Sequence, residues 1–215
     1  MLNKVILLLL VFIFSFNKTD AGWEKIFLGS DRIRVLHFFN YNSGYAVSYS
    51  GIVFKTTNAG INWSSNALGK NVYAGEFFND SNYILTGNNE YNNGWIGVFK
   101  NNIRTDFIIY PELLLFLHFF SAGWIDINTG FVAGSEFDYS GQLGKIFKTT
   151  NSGINWTLCE NSSVGGIKFD LVNEDTMYIA GYNGALFFSS NGGNNWTNRS
   201  PGNYSLCDVK FFDAR

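Results

Sequence analysis

Proline and charge are both scarce in this chain, with 2 prolines among 215 residues and 15% Asp, Glu, Lys and Arg. No segment carries the 3.6-residue apolar period of an amphipathic helix, which excludes a helical bundle and leaves an all-β class. The 15 basic residues stand against 17 acidic ones, so there is no electrostatic footprint for nucleic acid. The two histidines, His37 and His118, sit apart in apolar surroundings, and no metal-ligand cluster, phosphate loop or nucleophile elbow appears. Neither a metal nor a cofactor is expected, and no catalytic residue is assigned. Cys159 and Cys207 fall on strands that should not touch, so they are expected to stay unpaired even in an oxidising compartment.

What is present is a phrase written three times. It reads Thr56-Thr57-Asn58-Ala59-Gly60-Ile61-Asn62-Trp63, Thr149-Thr150-Asn151-Ser152-Gly153-Ile154-Asn155-Trp156, and Ser189-Ser190-Asn191-Gly192-Gly193-Asn194-Asn195-Trp196. Each copy follows a Gly-led apolar run, and Trp63 lies 40 residues after Trp23, as Trp196 does after Trp156. Self-similarity at a period of about 40 is the mark of a repeat architecture. Trp156 lies 93 after Trp63, two periods plus 13, so a degraded unit fills the gap, with Gly97-Val98-Phe99-Lys100 as its strand and Ile108 near the place of the tryptophan. Two insertions of 7 residues, between Asn82 and Ile96 and between Gly130 and Gly144, less one residue elsewhere, account for the surplus.

Each unit divides into four short runs rich in Val, Ile, Phe, Tyr and Thr, broken by Asn, Ser and Gly, which are strand and turn signals. Four strands in about 40 to 45 residues is the spacing of a propeller blade. The expected blades are residues 31–67, 72–110, 119–160 and 164–199, with a partial strand at 204–213. Within the repeated turn, Asn58, Asn151 and Asn191 tolerate the left-handed region, Gly60, Gly153 and Gly193 supply positive φ, and the hydroxyl two before each Asn can close the loop. Trp63, Trp156 and Trp196 open the outer strands and are expected to pack between units.

The turn Ser/Thr-x-Asn-x-Gly-x-x-Trp resembles the Asp-box, or bacterial neuraminidase repeat, with Asn in place of Asp. The longer unit, with its Asn-x-x-x-Gly-Tyr/Phe segment, is similar to the photosystem II stability/assembly factor-like repeats. The resemblance covers nearly all of residues 23–215 and implies a β-propeller. It implies no catalytic residue, because the Asp-box sits away from the active centre in the proteins that carry it.

Residues 1–21 read as a secretory leader, with Lys4 before an apolar core at 5–16 and Thr19-x-Ala21 as the cleavage site. Export to the periplasm, the cell surface or the medium is therefore expected, with membrane contact only through an uncleaved leader. The segment 204–213 matches a first strand without its followers, and Trp23 to Phe27 matches an outer strand without its blade, so a longer propeller is expected.

The two insertions and the connector 111–118 fall on one face, where long loops make plausible binding surface. Tyr91, Trp95, Phe137 and Tyr139 are the expected contact residues there, with Glu90, Glu136 and Asp138 as acceptors. The expected function is a non-catalytic scaffold for a protein or glycan partner. The alternative is a sialidase-like or glucanase-like glycoside hydrolase with its catalytic residues largely outside these 215 residues; within them, Glu90 with Glu136 or Asp138 is the carboxylate pair on offer.

Overall fold

The computed structural model describes residues 29–109, 116–138, 141–162 and 165–212. The chain folds as a β-propeller of four blades, each an antiparallel sheet of four strands in chain order. Blade 1 is β1 (Ile33–Phe38), β2 (Gly44–Ser48), β3 (Ile52–Thr56) and β4 (Ser64–Ala67). Blade 2 is β5 (Asn71–Phe77), β6 (Tyr83–Asn88), β7 (Gly94–Lys100) and β8 (Ile103–Ile109). Blade 3 is β9 (Phe116–Trp124), β10 (Gly130–Asp138), β11 (Gly141–Thr149) and β12 (Thr157–Ser162). Blade 4 is β13 (Gly166–Leu171), β14 (Met177–Gly181), β15 (Leu186–Ser189) and β16 (Thr197–Asn198), with a 3-10 turn at Tyr182–Gly184.

Three apolar cores lie between successive blades. Tyr45 and Val47 meet Leu85 and Trp95, Ile84 and Ile96 meet Phe119 and Val132, and Phe131 and Ala133 meet Phe169 and Ile179. Blades 2 and 3 are thus apolar on both sheet faces, and the stability of each blade comes from stacking on its neighbours.

The repeated turn works as its composition suggests. The Thr56 hydroxyl accepts from the Gly60 and Asn58 amides at 2.9 and 3.3 Å, and the Asn58 carboxamide oxygen accepts from the Asn62 amide at 2.9 Å. Thr149 with Gly153 and Ser189 with Gly193 repeat the first bond at 2.9 Å. The left-handed residues are the pair after each Asn, including Ala59 (φ 59) and Ser152 (φ 58), and not the Asn itself. Gly153 (φ +82) and Gly193 (φ +77) also press on the blade before them: a Cβ there would meet Val98 at 2.6 Å and Phe131 at 2.6 Å. Trp156 and Trp196 join the cores shared with those preceding blades.

Blade 2 departs from the expected alignment. The ladders equate Gly44, Tyr83, Gly130 and Met177, which pair with Thr56, Phe99, Thr149 and Ser189. Residues 83–99 are 17 against 13 in residues 44–56, so the blade 2 insertion is 4 residues, while residues 130–149 are 20 and keep the insertion of 7. The inserted residues lengthen strands instead of loops. The β2/β3 ladder has 4 residue pairs, β6/β7 has 6 and β10/β11 has 9. A two-residue turn of Asn101 (φ 51) and Asn102 (φ 62) replaces the longer one, the geometry of a type I′ hairpin. The register then puts Arg104, and not Ile108, where the other blades carry tryptophan. Arg104 does the tryptophan's bridging by polar means. It chelates Asp106 at 2.6 Å, donates to the Leu68 carbonyl of blade 1 at 2.9 Å, and lies 5.4 Å from the Trp95 ring.

Residues 204–212 form no strand. They run along the open side of blade 4, where Phe211 stacks on Tyr178 with ring centroids 3.6 Å apart. Phe77 stacks on the equivalent Tyr45 at 5.1 Å, so the segment occupies a first-strand position without a ladder partner among the described residues. Buried Asp170 anchors it, accepting from the Phe211 amide and from Lys210 at 2.7 Å.

Candidate functional site: a ring of bulged residues on the loop-bearing face

The two faces of the propeller are set by strand direction. One carries the first-to-second-strand loops and the repeated turns, joined in every blade by one amide bond: Ala59 to Asn42, Asn102 to Ser81, Ser152 to Asn128, and Gly192 to Asp175, all 2.9 to 3.0 Å. The other carries the second-to-third-strand hairpins and the connectors between blades.

On that second face each blade breaks its ladder at the same place. The β1/β2 register steps over Arg34, β5/β6 over Tyr73, β9/β10 over Phe120 and β13/β14 over Ile167. A bulge leaves one residue unpaired and re-aims its side chain. The strand opposite closes in tightly, and a Cβ on Gly134 would lie 2.0 Å from the His118 carbonyl oxygen.

The re-aimed side chains of blades 1, 2 and 3 meet. The Arg34 guanidinium sits 5.6 Å from the Tyr73 ring centre, and Tyr73 lies 5.3 Å from Phe120 in an edge contact. Two further tyrosines extend the row outward from equivalent positions at the ends of β2 and β14. Tyr49 meets Tyr73 at 5.5 Å and carries Arg32 at 5.3 Å, and Tyr182 meets Phe120 at 6.2 Å. His118 fills the centre, stacked on Tyr73 at 5.2 Å and flanked by Phe120 and Phe137. The result is a half-buried aromatic row that crosses all four blades, with two guanidinium groups at its blade 1 end.

The electrostatics follow from partial burial. Desolvation, aided by the bond to Tyr49, pushes the Tyr73 phenol well above its usual range, so it remains a neutral hydroxyl at any physiological pH. Burial lowers the His118 pKa from its ordinary value. Beside the row, Arg34, Tyr73, Phe120, Glu76 and Lys168 line an axial cleft of about 290 Å³. It continues past Glu76 and Lys168 into a second space of about 410 Å³ that reaches Lys210. Burial raises the pKa of Glu76 there, with Lys168 opposing.

The sequence-predicted contact residues fare unequally. Glu90 is exposed, and Tyr91 is 73% exposed at the tip of the blade 2 hairpin. Trp95 is a correction: it lies on strand β7, is fully buried in the core between blades 1 and 2, and offers no surface. Glu136 is a second correction. It is 1% exposed and paired with buried Lys145 at 3.2 Å, so it accepts from no external ligand and forms no catalytic pair with Glu90. Both were expected on loops, and the lengthened ladders turned those loops into strand. Phe137 is half-buried against His118, and Asp138 ends strand β10 opposite Gly141. Tyr139 lies outside the described residues. Sequence reasoning missed Tyr49, Tyr73, Phe120 and Tyr182. The matched triplets Tyr49-Ser50-Gly51 and Tyr182-Asn183-Gly184, each before a third strand, were the signal available for two of them.

No protein-family model and no curated protein sequence matches the chain. Among solved structures it is similar to YCF48 bound to a D1 peptide, at 19% identity and a TM-score of 0.60, over 90% of this chain and 64% of that one. It is similar to YCF48 from Cyanidioschyzon merolae, at 15% identity and a TM-score of 0.63, over 90% of this chain and 66% of that one. A GH74 xyloglucanase from Xanthomonas campestris matches at 11% identity and a TM-score of 0.55, over 85% of this chain and 32% of that one. The chain therefore spans less than two thirds of the length of these three solved structures, and what it shares with them is the fold of a β-propeller.

Proposed function

We propose that this chain is a non-catalytic binding scaffold that docks a polypeptide partner across its loop-bearing face, outside the cytoplasm if the leader at 1–21 acts as one. The observation that carries this reading is the bulge ring. Four blades place a residue out of register at the same level, and three of those side chains, Arg34, Tyr73 and Phe120, form one surface. Rigid aromatic side chains on a fixed sheet scaffold give contact area at low entropic cost, and Tyr and Arg are the residue types that dominate interface hot spots. The row suits a chain in length as well. Its steps from Tyr49 through Tyr73 and Phe120 to Tyr182 are 5.5, 5.3 and 6.2 Å. That is room for about five extended residues at roughly 3.3 Å each. The likeness to YCF48 bound to a D1 peptide supports a peptide over a sugar as occupant.

Panning a phage-displayed peptide library on the protein tests the reading. Selected peptides should lose at least about tenfold in affinity to Tyr73→Ala and Phe120→Ala, and none to Ile61→Ala on the opposite face. Peptides indifferent to both ring variants, or glycan-array binding with no peptide enriched, would overturn it.

A further inference from the structure

The exposed hairpin of blade 2 is tied to the aromatic row through one histidine. Asn88, 1% exposed at the end of β6, uses its side-chain N–H groups in two directions. One goes to the Asn92 carboxamide oxygen in the hairpin at 2.8 Å, the other toward His118 Nε2 at 3.1 Å. With the two amides oriented as in this pair of bonds, Nε2 is the acceptor and the imidazole proton sits on Nδ1. The hairpin has one other tie to this strand, from the Leu117 amide to the Asn92 carbonyl at 2.9 Å.

Protonation would put an N–H where a lone pair is required, facing an N–H donor. The surroundings do not offset that. Tyr73 of β5, on which His118 stacks, already carries Arg34 of β1, so an imidazolium would be a second cation on one ring. From β10, Phe137 is apolar, and the Glu136 carboxylate beside it pairs with Lys145. Glu90 of the hairpin is exposed to solvent. Burial shifts the titration the same way, lowering the His118 pKa.

We propose that His118 is a proton-operated latch: neutral, it pins the Tyr91-bearing hairpin to the bulge ring through Asn88, and protonated, it releases it. The use of the latch in docking rests on the reading of this face as a partner surface. The latch itself is measured without any partner, so the two fail separately.

The test is an NMR titration of the full chain, whose only histidines are His37 and His118, assigned with His37→Gln. The expected result is the Nδ1–H tautomer at pH 7.5, a His118 midpoint below the ordinary value of about 6.5, and loss of Leu117 amide protection of about tenfold across that midpoint. In Asn88→Asp, a carboxylate would meet Nε2, so the midpoint should rise and the acid loss of Leu117 protection should vanish. An Nε2–H tautomer at pH 7.5 overturns the latch, as does Leu117 protection that stays constant while His118 titrates. The wild-type measurements decide the matter even where Asn88→Asp does not fold.

Discussion

On one face of the propeller the same bonds recur blade after blade, while on the other each blade sets a different residue in its bulge. The turn face reuses a hydroxyl, an asparagine and a glycine in three blades, and the amide tie between loop and turn in all four. The loop-bearing face reuses a backbone event, the bulge, at positions 34, 73, 120 and 167, with Arg, Tyr, Phe and Ile in turn, and repeats one side chain, the tyrosine of Tyr49 and Tyr182. Repetition of side chains marks residues that the blade needs in order to stack. A repeated backbone feature with changing side chains marks a place the fold does not specify chemically, which is where a binding surface can sit without cost to stacking.

The comparison is sharpest where it would break. Glu136→Ala is expected to have the largest effect, about 3–5 kcal/mol in denaturant unfolding, because it removes a buried carboxylate that pairs with buried Lys145; a surface role for Glu136 would leave the midpoint unmoved. Gly153→Ala on the turn face should cost about 2–3 kcal/mol, since it forces a side chain into positive φ and onto Val98. Thr149→Val, which removes the acceptor of the Gly153 amide, should cost about 1–2 kcal/mol, measured in the same way.

Acid should come next. His37 and His118 both have pKa values lowered by burial, so the unfolded chain binds protons more readily. The stability is whole above the ordinary histidine pKa and declines as pH falls through the lower folded values. Unfolding midpoints should be flat from pH 8 to 7 and drop between pH 6.5 and 5, and a double replacement of both histidines by Gln should flatten that drop. Tyr91→Ala, at the other extreme, should change stability by less than about 0.5 kcal/mol. A larger loss there would mean that the hairpin tip supports the fold as the opposite turns do.

The architecture was legible in the sequence because the turn that builds it is short, local and written with few residue types. Asn58, Gly60 and Trp63 lie within one loop, so their spacing survives in the linear chain. Blade 2 was misaligned for the same reason in reverse. Its turn solves the problem with Asn101 and Asn102 in left-handed geometry and with Arg104 in place of tryptophan, a different chemistry for one task. Trp95 and Glu136 were misread because an insertion into a hairpin can lengthen either its loop or its strands, and composition alone does not separate the two. The ring was illegible because its members are one per blade, roughly a period apart, and meet only through the stacking of blades.

A bulged residue is the one position of an inner strand that answers to no partner across the ladder. Exchanging Arg34, Tyr73 or Phe120 leaves every hydrogen-bonded pair of β1, β5 and β9 as it was. The blades thus act as a keyboard with one free key each: the surface can be rewritten a residue at a time, in combinations, by a protein whose folding instructions lie on the opposite side.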